Sequence, residues 1–273
     1  MKRWWKAKKQ TGLTIGQDPY GYSVNKRPSF LLRSWFEKLI TKTSMPNDQQ
    51  HQLEELSQKG PIIYAFEYRS HLDFAYLSLR LYQLGLPTPS FLFDFHPYFW
   101  QPRWYACKVL AYHFYHYIKQ RSLPDPYTNG YFRQKIEQGK SGLFFLLGEK
   151  GYYRRTVLIG HDPLEHLVEI QQSHEKPIFI VPLVLLYTRD PGRKRRGVRE
   201  IFFGQKEQPG PIRKCFSFLR GYSSAAFEAG EALNLQEILG ELSDKPYERR
   251  KQVFQLRREL IDSIAEIKRA IVG

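Results

Sequence analysis

The chain has 273 residues, a length that suits one large α/β domain or one domain with an arm at each end, and its apolar content of 42% is too high for a chain that is disordered throughout. Its 42 lysines and arginines against 27 aspartates and glutamates give a formal net charge of +15, which favours an anionic partner, either nucleic acid or an anionic lipid surface. The two cysteines, Cys107 and Cys215, lie far apart without metal-binding spacing. They argue against a disulfide framework and a structural zinc site, and they indicate a reducing compartment.

Any association with a membrane is predicted to be peripheral. The longest apolar run, Ile178–Tyr187, has ten residues, whereas a membrane-spanning helix needs about 20. The basic N-terminus, MKRWWKAKKQ, is not followed by an apolar stretch, so we expect no signal peptide. Aromatic residues make up 15% of the chain, a content that suits a protein at a lipid interface as well as one that stacks on nucleic-acid bases. These features predict a cytoplasmic protein that binds to the membrane surface.

Residues 1–58 are predicted to form a basic, amphipathic N-terminal region. Residues 1–28 mix Lys, Gly, Pro and Trp without a period, which indicates an extended arm. Ser29–Ile40 has its apolar residues close to one helical face, and packing on the domain and lying in the bilayer interface are both open for this helix. A short polar helix is predicted for Gln50–Gln58.

Residues 59–242 have the pattern of an α/β domain. Buried strands are predicted at the apolar runs Gly60–Phe66, Gly142–Leu147 and Lys176–Tyr187, and shorter strands at Ile201–Phe203 and Ser224–Phe227. Helical stretches alternate with these strands. The alternation predicts a mixed, mostly parallel sheet flanked by helices.

The helix after the first strand has recognisable boundaries. Ser70 and Asp73 have the spacing of a capping box, with Asp in place of the usual Glu, and Gly85 is a natural stop. Residues 91–117 hold 12 aromatic residues and are predicted to form a short strand, a loop and a helix, with the aromatic rings in the core. The alternative is that these rings line a groove for an acyl chain, since such pockets are apolar. His113 and His116 lie three positions apart on that helix, but no third ligand is near them in sequence, so we predict no metal site.

Residues 243–273 are predicted to form a long C-terminal helix. Apolar residues recur every three or four positions along Lys245–Val272, namely Val253, Leu256, Leu260, Ile264, Ile267 and Ile271. This apolar face needs a partner. The sheet of the domain and a further domain after the C-terminus are both open as that partner.

The segment Tyr68–Asp73 lies between the first strand and its helix, where catalytic groups of open α/β sheets gather. The residues alone leave two interpretations open. In the first, Ser70 caps the helix, Asp73 complements the helix dipole and His71 is a surface residue. In the second, His71 and Asp73 take part in catalysis.

The stretch Gly60–Leu84 resembles the first conserved block of the glycerol-3-phosphate and lysophosphatidate acyltransferase family, in which a strand ends in His-x4-Asp. The matching residues are Arg69, Ser70, His71, Leu72 and Asp73. Tyr68 stands in place of the leading His of this block.

Three later segments follow in the order of the family's blocks. Tyr117-Ile118-Lys119 resembles the second block, an aromatic-Ile-Arg element. Leu147–Gly151 with Arg154 resembles the third block, with Tyr152 in place of its first Arg. Ile180–Leu183 resembles the fourth block, an apolar strand with a central proline. The resemblance spans roughly residues 60–240, and the order of four blocks is more specific than any one block.

The resemblance assigns roles to these residues. It implies that the acceptor phosphate is bound by Arg69, Lys119, Glu149, Gly151 and Arg154. It implies that Pro182 lines the acyl site, and that the fold is that of a glycerolipid acyltransferase. No metal and no cofactor are expected, since the acyl donor is itself a substrate.

In the family, the leading His is the general base for the acceptor hydroxyl and the Asp orients it. The donor is a thioester of CoA or acyl carrier protein, and the acceptor is glycerol 3-phosphate or a lysophospholipid. Tyr68 is a poor base at neutral pH, because an ordinary phenol has a pKa of about 10. The resemblance therefore predicts weak or absent acyl transfer, unless His71 replaces the missing base.

Two further function classes are open. The first is a catalytically silent domain that binds lipid or a membrane, and the second is a nucleic-acid-binding protein. The basic run Arg193–Arg196 fits a solvated loop, a contact with anionic lipid or a contact with nucleic acid. Because no aromatic residues interleave with this run, we expect an anionic membrane surface and no nucleic acid as partner.

Overall fold

The computed structural model describes residues 18, 20–24, 43–97, 103–147, 161–189, 222–240 and 246–272. Several predicted features lie outside these residues. They are most of the N-terminal arm, the helix Ser29–Ile40, the third block after Leu147, the basic run Arg193–Arg196 and the strand Ile201–Phe203.

In the described ranges the chain forms seven strands and seven helices. The strands are β1 (Thr43–Ser44), β2 (Ile62–Tyr68), β3 (Phe91–Leu92), β4 (Gly142–Leu147), β5 (Phe179–Arg189), β6 (Tyr222–Ala229) and β7 (Leu233–Asn234). The helices are α1 (Asn47–Lys59), α2 (His71–Leu84), α3 (Arg103–Gln120), α4 (Tyr131–Glu137), α5 (Pro163–Gln171), α6 (Leu235–Leu239) and α7 (Pro246–Val272). The three long predicted strands correspond to β2, β4 and β5.

The strands form one sheet in the order β1-β6-β5-β2-β4-β3, and β7 pairs with β5. Strands β2 to β5 run parallel, while β6 is antiparallel to β5. The predicted α/β class with a mixed, mostly parallel sheet is confirmed. Because β2, β3 and β4 are parallel, their carboxyl ends lie along the same edge of the sheet.

Successive residues of the central strand β2 enter two different cores. Ile62, Tyr64 and Phe66 pack with α1 and α2 on one face, whereas Ile63 and Ala65 pack with α4, α5 and α7 on the other. Helices therefore cover both faces of the sheet. This explains why Ile62–Phe66 of β2 is an uninterrupted apolar run rather than an alternating one.

The C-terminal helix α7 packs back onto the sheet, against β4 and β5. The predicted apolar face is buried at Val253, Leu256, Leu260 and Ile264, which confirms the periodicity argument. Arg257, in the middle of this face, is completely buried, and the pattern of apolar residues did not predict it.

The predicted strand and helix of residues 91–117 are confirmed as β3 and α3, and residues 93–97 form the described part of the predicted loop. The expectation that their aromatic rings form core is correct for Phe91, Phe93 and Phe95. It is wrong for most of α3, where the exposed rings are Trp104, Tyr112, Phe114, Tyr115 and Tyr117. Within the described residues, no helix is both long enough and apolar enough to cross a membrane.

Candidate functional site at the carboxyl edge of the sheet

Ser70 fixes the junction between β2 and α2. Its hydroxyl oxygen accepts a hydrogen bond from the backbone N–H of Asp73 at 3.2 Å, so Ser70 is the N-cap of α2. At the other end, Gly85 adopts the left-handed conformation, with φ of 75°, and ends the helix. The predicted cap and stop are confirmed. The cap also holds His71 and Asp73 in the first turn, where the helix dipole favours a carboxylate.

Tyr68 is the last residue of β2 and pairs in register with Leu147 at the end of β4. Its side chain is 46% exposed, and Lys268 Nζ of α7 lies 5.9 Å from the centroid of its ring. The same lysine forms an ion pair with Glu67. Partial burial raises the pKa of the Tyr68 phenol, and the adjacent Glu67 carboxylate raises it further. The phenol therefore stays protonated at neutral pH.

The Phe95 ring brings two predicted site residues together. Phe95 follows β3 and is completely buried. The guanidinium carbon of Arg69 lies 4.9 Å from the centroid of this ring, and the His71 ring centroid lies 4.3 Å from it. Both side chains are exposed on their outer sides. The segment after β2 thus contacts the segment after β3 at the carboxyl edge.

A second polar network lies at the same edge, after β3. The Tyr127 hydroxyl donates a hydrogen bond to Asp94 Oδ1 at 2.8 Å, and the Tyr127 ring stacks on His161 with centroids 5.0 Å apart. His161 Nε2 lies 3.0 Å from Asp125 Oδ2. A histidine held by a carboxylate is the arrangement of a general base and its orienting group.

Sequence reasoning missed the pair of His161 and Asp125. The pair joins two loops that are far apart in the chain, and neither loop carries a motif that predicts it. The nearest indication in the sequence is Asp162-Pro163, which is typical of a helix start and does begin α5. Helix capping explains Asp162 and says nothing of His161.

A family model described as the glycerol-3-phosphate acyltransferase PlsB N-terminal domain matches residues 113–271, more than half of the chain. The chain belongs to this family. The relationship to glycerol-3-phosphate acyltransferases that the four blocks predicted is confirmed. The match begins after the segment Tyr68–Asp73, so it is independent of the first block. No curated protein matches the chain.

Two other site residues predicted from the glycerol-3-phosphate acyltransferase resemblance lie in described elements. Lys119 is exposed in the last turn of α3. Pro182 is buried in β5, where it pairs in register with Ala65 and its carbonyl accepts a hydrogen bond from the Gly230 N–H at 2.9 Å. Among the described residues, Tyr68, Arg69 and His71 lie together at the carboxyl edge of the sheet. Their contacts described above do not involve Lys119.

The remaining predicted residues of the acyltransferase site, Glu149, Gly151 and Arg154, lie outside the described residues. Their roles stay predictions. In the described part of the chain, no group of three or more His, Cys, Asp or Glu side chains is placed to hold a metal ion. His116 Nδ1 lies 2.8 Å from the carbonyl oxygen of Ser122.

Proposed function

We propose that the chain is a glycerolipid O-acyltransferase-type domain whose own transfer activity is weak or absent. Its donor is an acyl thioester of CoA or acyl carrier protein, and its acceptor is glycerol 3-phosphate or a lysophospholipid. Membership of the glycerol-3-phosphate acyltransferase family supports this substrate class. The observation that carries the proposal is Tyr68, a phenol of raised pKa at the position where the resemblance places the general base.

The chemistry requires a proton acceptor. An ester bond forms between the acceptor oxygen and the acyl carbon, and the carbon–sulfur bond of the thioester breaks. The acceptor hydroxyl gives up its proton during the attack, and the leaving thiolate takes up a proton. A positioned general base typically contributes about 10²–10⁴ in rate. Because its pKa is raised, the Tyr68 phenol supplies none of this contribution at neutral pH.

The rest of the edge suits binding of a phosphate-bearing acceptor. Arg69 lies against the buried Phe95 ring, which limits the conformations of its guanidinium group. A guanidinium group held in this way forms charge-assisted hydrogen bonds with phosphate oxygens. These contacts support recognition of the acceptor without supplying the missing base.

A catalytically silent domain that binds lipid phosphate is the second candidate. The matching family is described as an N-terminal domain of an acyltransferase, a description that fits one domain of a larger enzyme. Tyr68 favours this candidate for the same reason that it predicts slow transfer. The two candidates differ in whether a base at position 68 is sufficient to produce turnover.

Restoring a base at position 68 tests the proposal. We expect the parent chain to transfer little or no acyl group to radiolabelled glycerol 3-phosphate or lysophosphatidate. Tyr68→His restores the His-x4-Asp spacing to Asp73, and imidazole accepts a proton near neutral pH. The rate should rise at least about tenfold. Recovery should be incomplete, since Tyr152 occupies the position of a phosphate-binding Arg. The control is Tyr82→His, at a 50% exposed tyrosine of α2, which should leave the rate unchanged.

Variants of the two edge histidines distinguish the alternatives. Substantial parent activity that survives Tyr68→Phe but disappears in His71→Ala or His161→Ala would contradict the proposal and show a relocated base. If no variant transfers an acyl group, calorimetric titration with glycerol 3-phosphate measures whether the chain binds the acceptor. Binding that is weakened by Arg69→Gln would then support the silent domain, and absence of binding would reject both candidates.

A further inference from the structure

The helix α3 presents apolar side chains to solvent along most of its length. Within the described residues, eleven large apolar side chains are exposed, and eight of them lie between Trp104 and Leu123. Phe114 is 66% exposed and Ile118 59%. Contiguous exposed apolar surface of this kind marks an interaction site more often than scattered single residues do.

The exposed residues have their own helical spacing. Trp104, Cys107, Ala111, Phe114 and Ile118 recur at intervals of three and four residues, and all five are exposed. We refer to these five residues as the outer face of α3. Because they share one side of the helix, they form a continuous stripe rather than a set of isolated contacts.

The opposite side of α3 holds the helix to the protein. Tyr105 and Val109 are buried, and the Tyr105 hydroxyl donates to Asp18 Oδ2 at 2.9 Å. Val109 packs close to Gly21. The apolar residues of the outer face therefore do not contribute to the attachment of α3 in the described structure.

The segment around α3 is basic and lacks acidic residues. Residues 95–124 contain no Asp or Glu, and their basic residues are Arg103, Lys108, Lys119 and Arg121. Lys108 Nζ lies 4.7 Å from the ring centroid of Trp104. The segment thus combines positive charge, amphipathic aromatic rings and aliphatic side chains, the composition of helices that lie in the interface of an anionic bilayer.

We infer that the outer face of α3 lies on an anionic lipid surface. Phe114 and Ile118 enter the boundary between headgroups and acyl chains, and Lys108 and Trp104 lie at the level of the lipid phosphates. The complementary charge selects this partner over a second copy of the chain, because a twofold contact would bring only basic residues together. Aliphatic residues such as Leu110, which is 72% exposed, gain nothing from stacking on nucleic-acid bases.

This inference assigns a surface that the proposed function does not require. In the proposed function the base position Tyr68 and the phosphate-binding Arg69 lie at the carboxyl edge, whereas lipid contact by α3 depends on the outer face, of which Lys119 is not a member. A test of lipid contact without any substrate therefore leaves the two proposals separately falsifiable.

Cys107 allows the contact to be observed directly, because it is exposed within the outer face. In the Cys215→Ser chain, Cys107 is the single cysteine and is labelled with the environment-sensitive fluorophore nitrobenzoxadiazole. We expect blue-shifted, brighter emission with vesicles of phosphatidylglycerol and little change with vesicles of phosphatidylcholine. The control label is at Ser57→Cys, an exposed position of α1, in a chain with both natural cysteines changed to Ser. Its emission should stay constant.

A pair of matched double variants tests the energetics in the same assay and by vesicle sedimentation. Phe114→Asp with Ile118→Asp should weaken binding to phosphatidylglycerol vesicles at least about tenfold, because two apolar side chains lose their burial. Tyr82→Asp with Tyr247→Asp makes the same charge change at 50% and 84% exposed positions and should alter binding much less. Circular dichroism checks that each variant is folded.

Three outcomes would overturn the inference. The first is equal loss of binding in the two double variants, which would mean that net charge alone drives association. The second is a blue shift that grows with protein concentration in the absence of vesicles, which would identify a second copy as the occupant. The third is an unchanged spectrum of the Cys107 label with vesicles that sediment the protein, which would place the lipid contact elsewhere.

Discussion

The two longest helices of the described residues, α7 and α3, use their apolar residues in opposite ways. In α7 the apolar face, including Leu256 and Leu260, is buried against the sheet and its neighbouring helices. Among the α3 side chains that the structure describes, the buried apolar residues are Tyr105 and Val109, while Phe114 and Ile118 are exposed. Both helices have three- and four-residue spacing of apolar residues in the sequence. The spacing shows which side chains share a face, but it does not show what covers that face.

The helices also differ in the buried charge that attaches them. Arg257 of α7 donates to the carbonyl of Leu146 at 2.6 Å and pairs with Asp162, the N-cap of α5. On α3, Tyr105 instead donates to the buried Asp18. Lys135 of α4 is connected to Asp18 through Ser23. Its Nζ donates to Ser23 Oγ at 3.0 Å, and the Ser23 N–H donates to Asp18 Oδ2 at 2.7 Å. Each attachment therefore has a distinct response to mutation.

Removal of the buried cation of α7 should have the largest effect on stability. Arg257→Met leaves the Asp162 carboxylate buried without its partner, a situation that costs about 3–5 kcal/mol in free energy of unfolding. Chemical denaturation followed by circular dichroism measures this. The control is Arg258→Met, at an adjacent side chain of which 82% is exposed, with an expected change within about 0.5 kcal/mol.

A double variant shows whether the ion pair is the cause. Asp162→Asn keeps an oxygen acceptor for the Leu164 N–H, which Asp162 Oδ1 now binds at 2.9 Å, but removes the charge. Arg257→Met with Asp162→Asn should therefore be more stable than Arg257→Met alone. A double variant as unstable as the sum of the two single variants would mean that packing, not the uncompensated charge, explains the loss.

The two helices also show what the sequence could and could not predict. The run of β4 and the period of α7 were predictable because burial on a sheet requires apolar residues at fixed spacing. Arg257 was not, because its charge is compensated by Asp162, far away in the chain. At the site, the Ser70 cap followed from local spacing, whereas the pairing of His161 with Asp125 depends on how two distant loops meet. The exposure of Phe114 was not predictable for a related reason, because the sequence does not show whether another part of the protein covers that face of α3.

Lys135 of α4, which lies near the attachment of α3, predicts a pH dependence of stability. Burial lowers the pKa of Lys135 from 10.5 to about 8, although Asp18 opposes the shift. Between these two values the unfolded chain binds more protons at this lysine than the folded chain. Stability from Lys135 is therefore lost as pH falls from 10.5 through 8, and it is regained as pH rises.

Comparison of the parent chain with Lys135→Met isolates this contribution. From pH 7 to pH 9.5, the free energy of unfolding of the parent should increase by about 1–2 kcal/mol relative to the variant. The measurement is urea denaturation at several pH values, limited to below pH 10 because buried tyrosines such as Tyr105 have raised pKa values and destabilise the fold above it. Lys251→Met, at an exposed position of α7, is the control. A constant difference between parent and Lys135→Met would show that Lys135 is not buried in its charged form.

The smallest expected effect is at the outer face of α3, and it tests the comparison between the helices most directly. Phe114→Ala should change the free energy of unfolding by less than about 0.5 kcal/mol, because a side chain that is 66% exposed leaves no cavity when it is shortened. Truncation to alanine on the buried face of α7, Leu260→Ala, should cost about 2–5 kcal/mol in free energy of unfolding, since Leu260 is only 1% exposed. Thermal and urea denaturation of both variants, without lipid, gives the two values. A loss at Phe114 close to that at Leu260 would mean that the outer face is covered within the protein itself, and the contrast between α3 and α7 would then disappear. A neutral Phe114→Ala variant that nevertheless binds phosphatidylglycerol vesicles more weakly would show that this face serves a surface outside the fold.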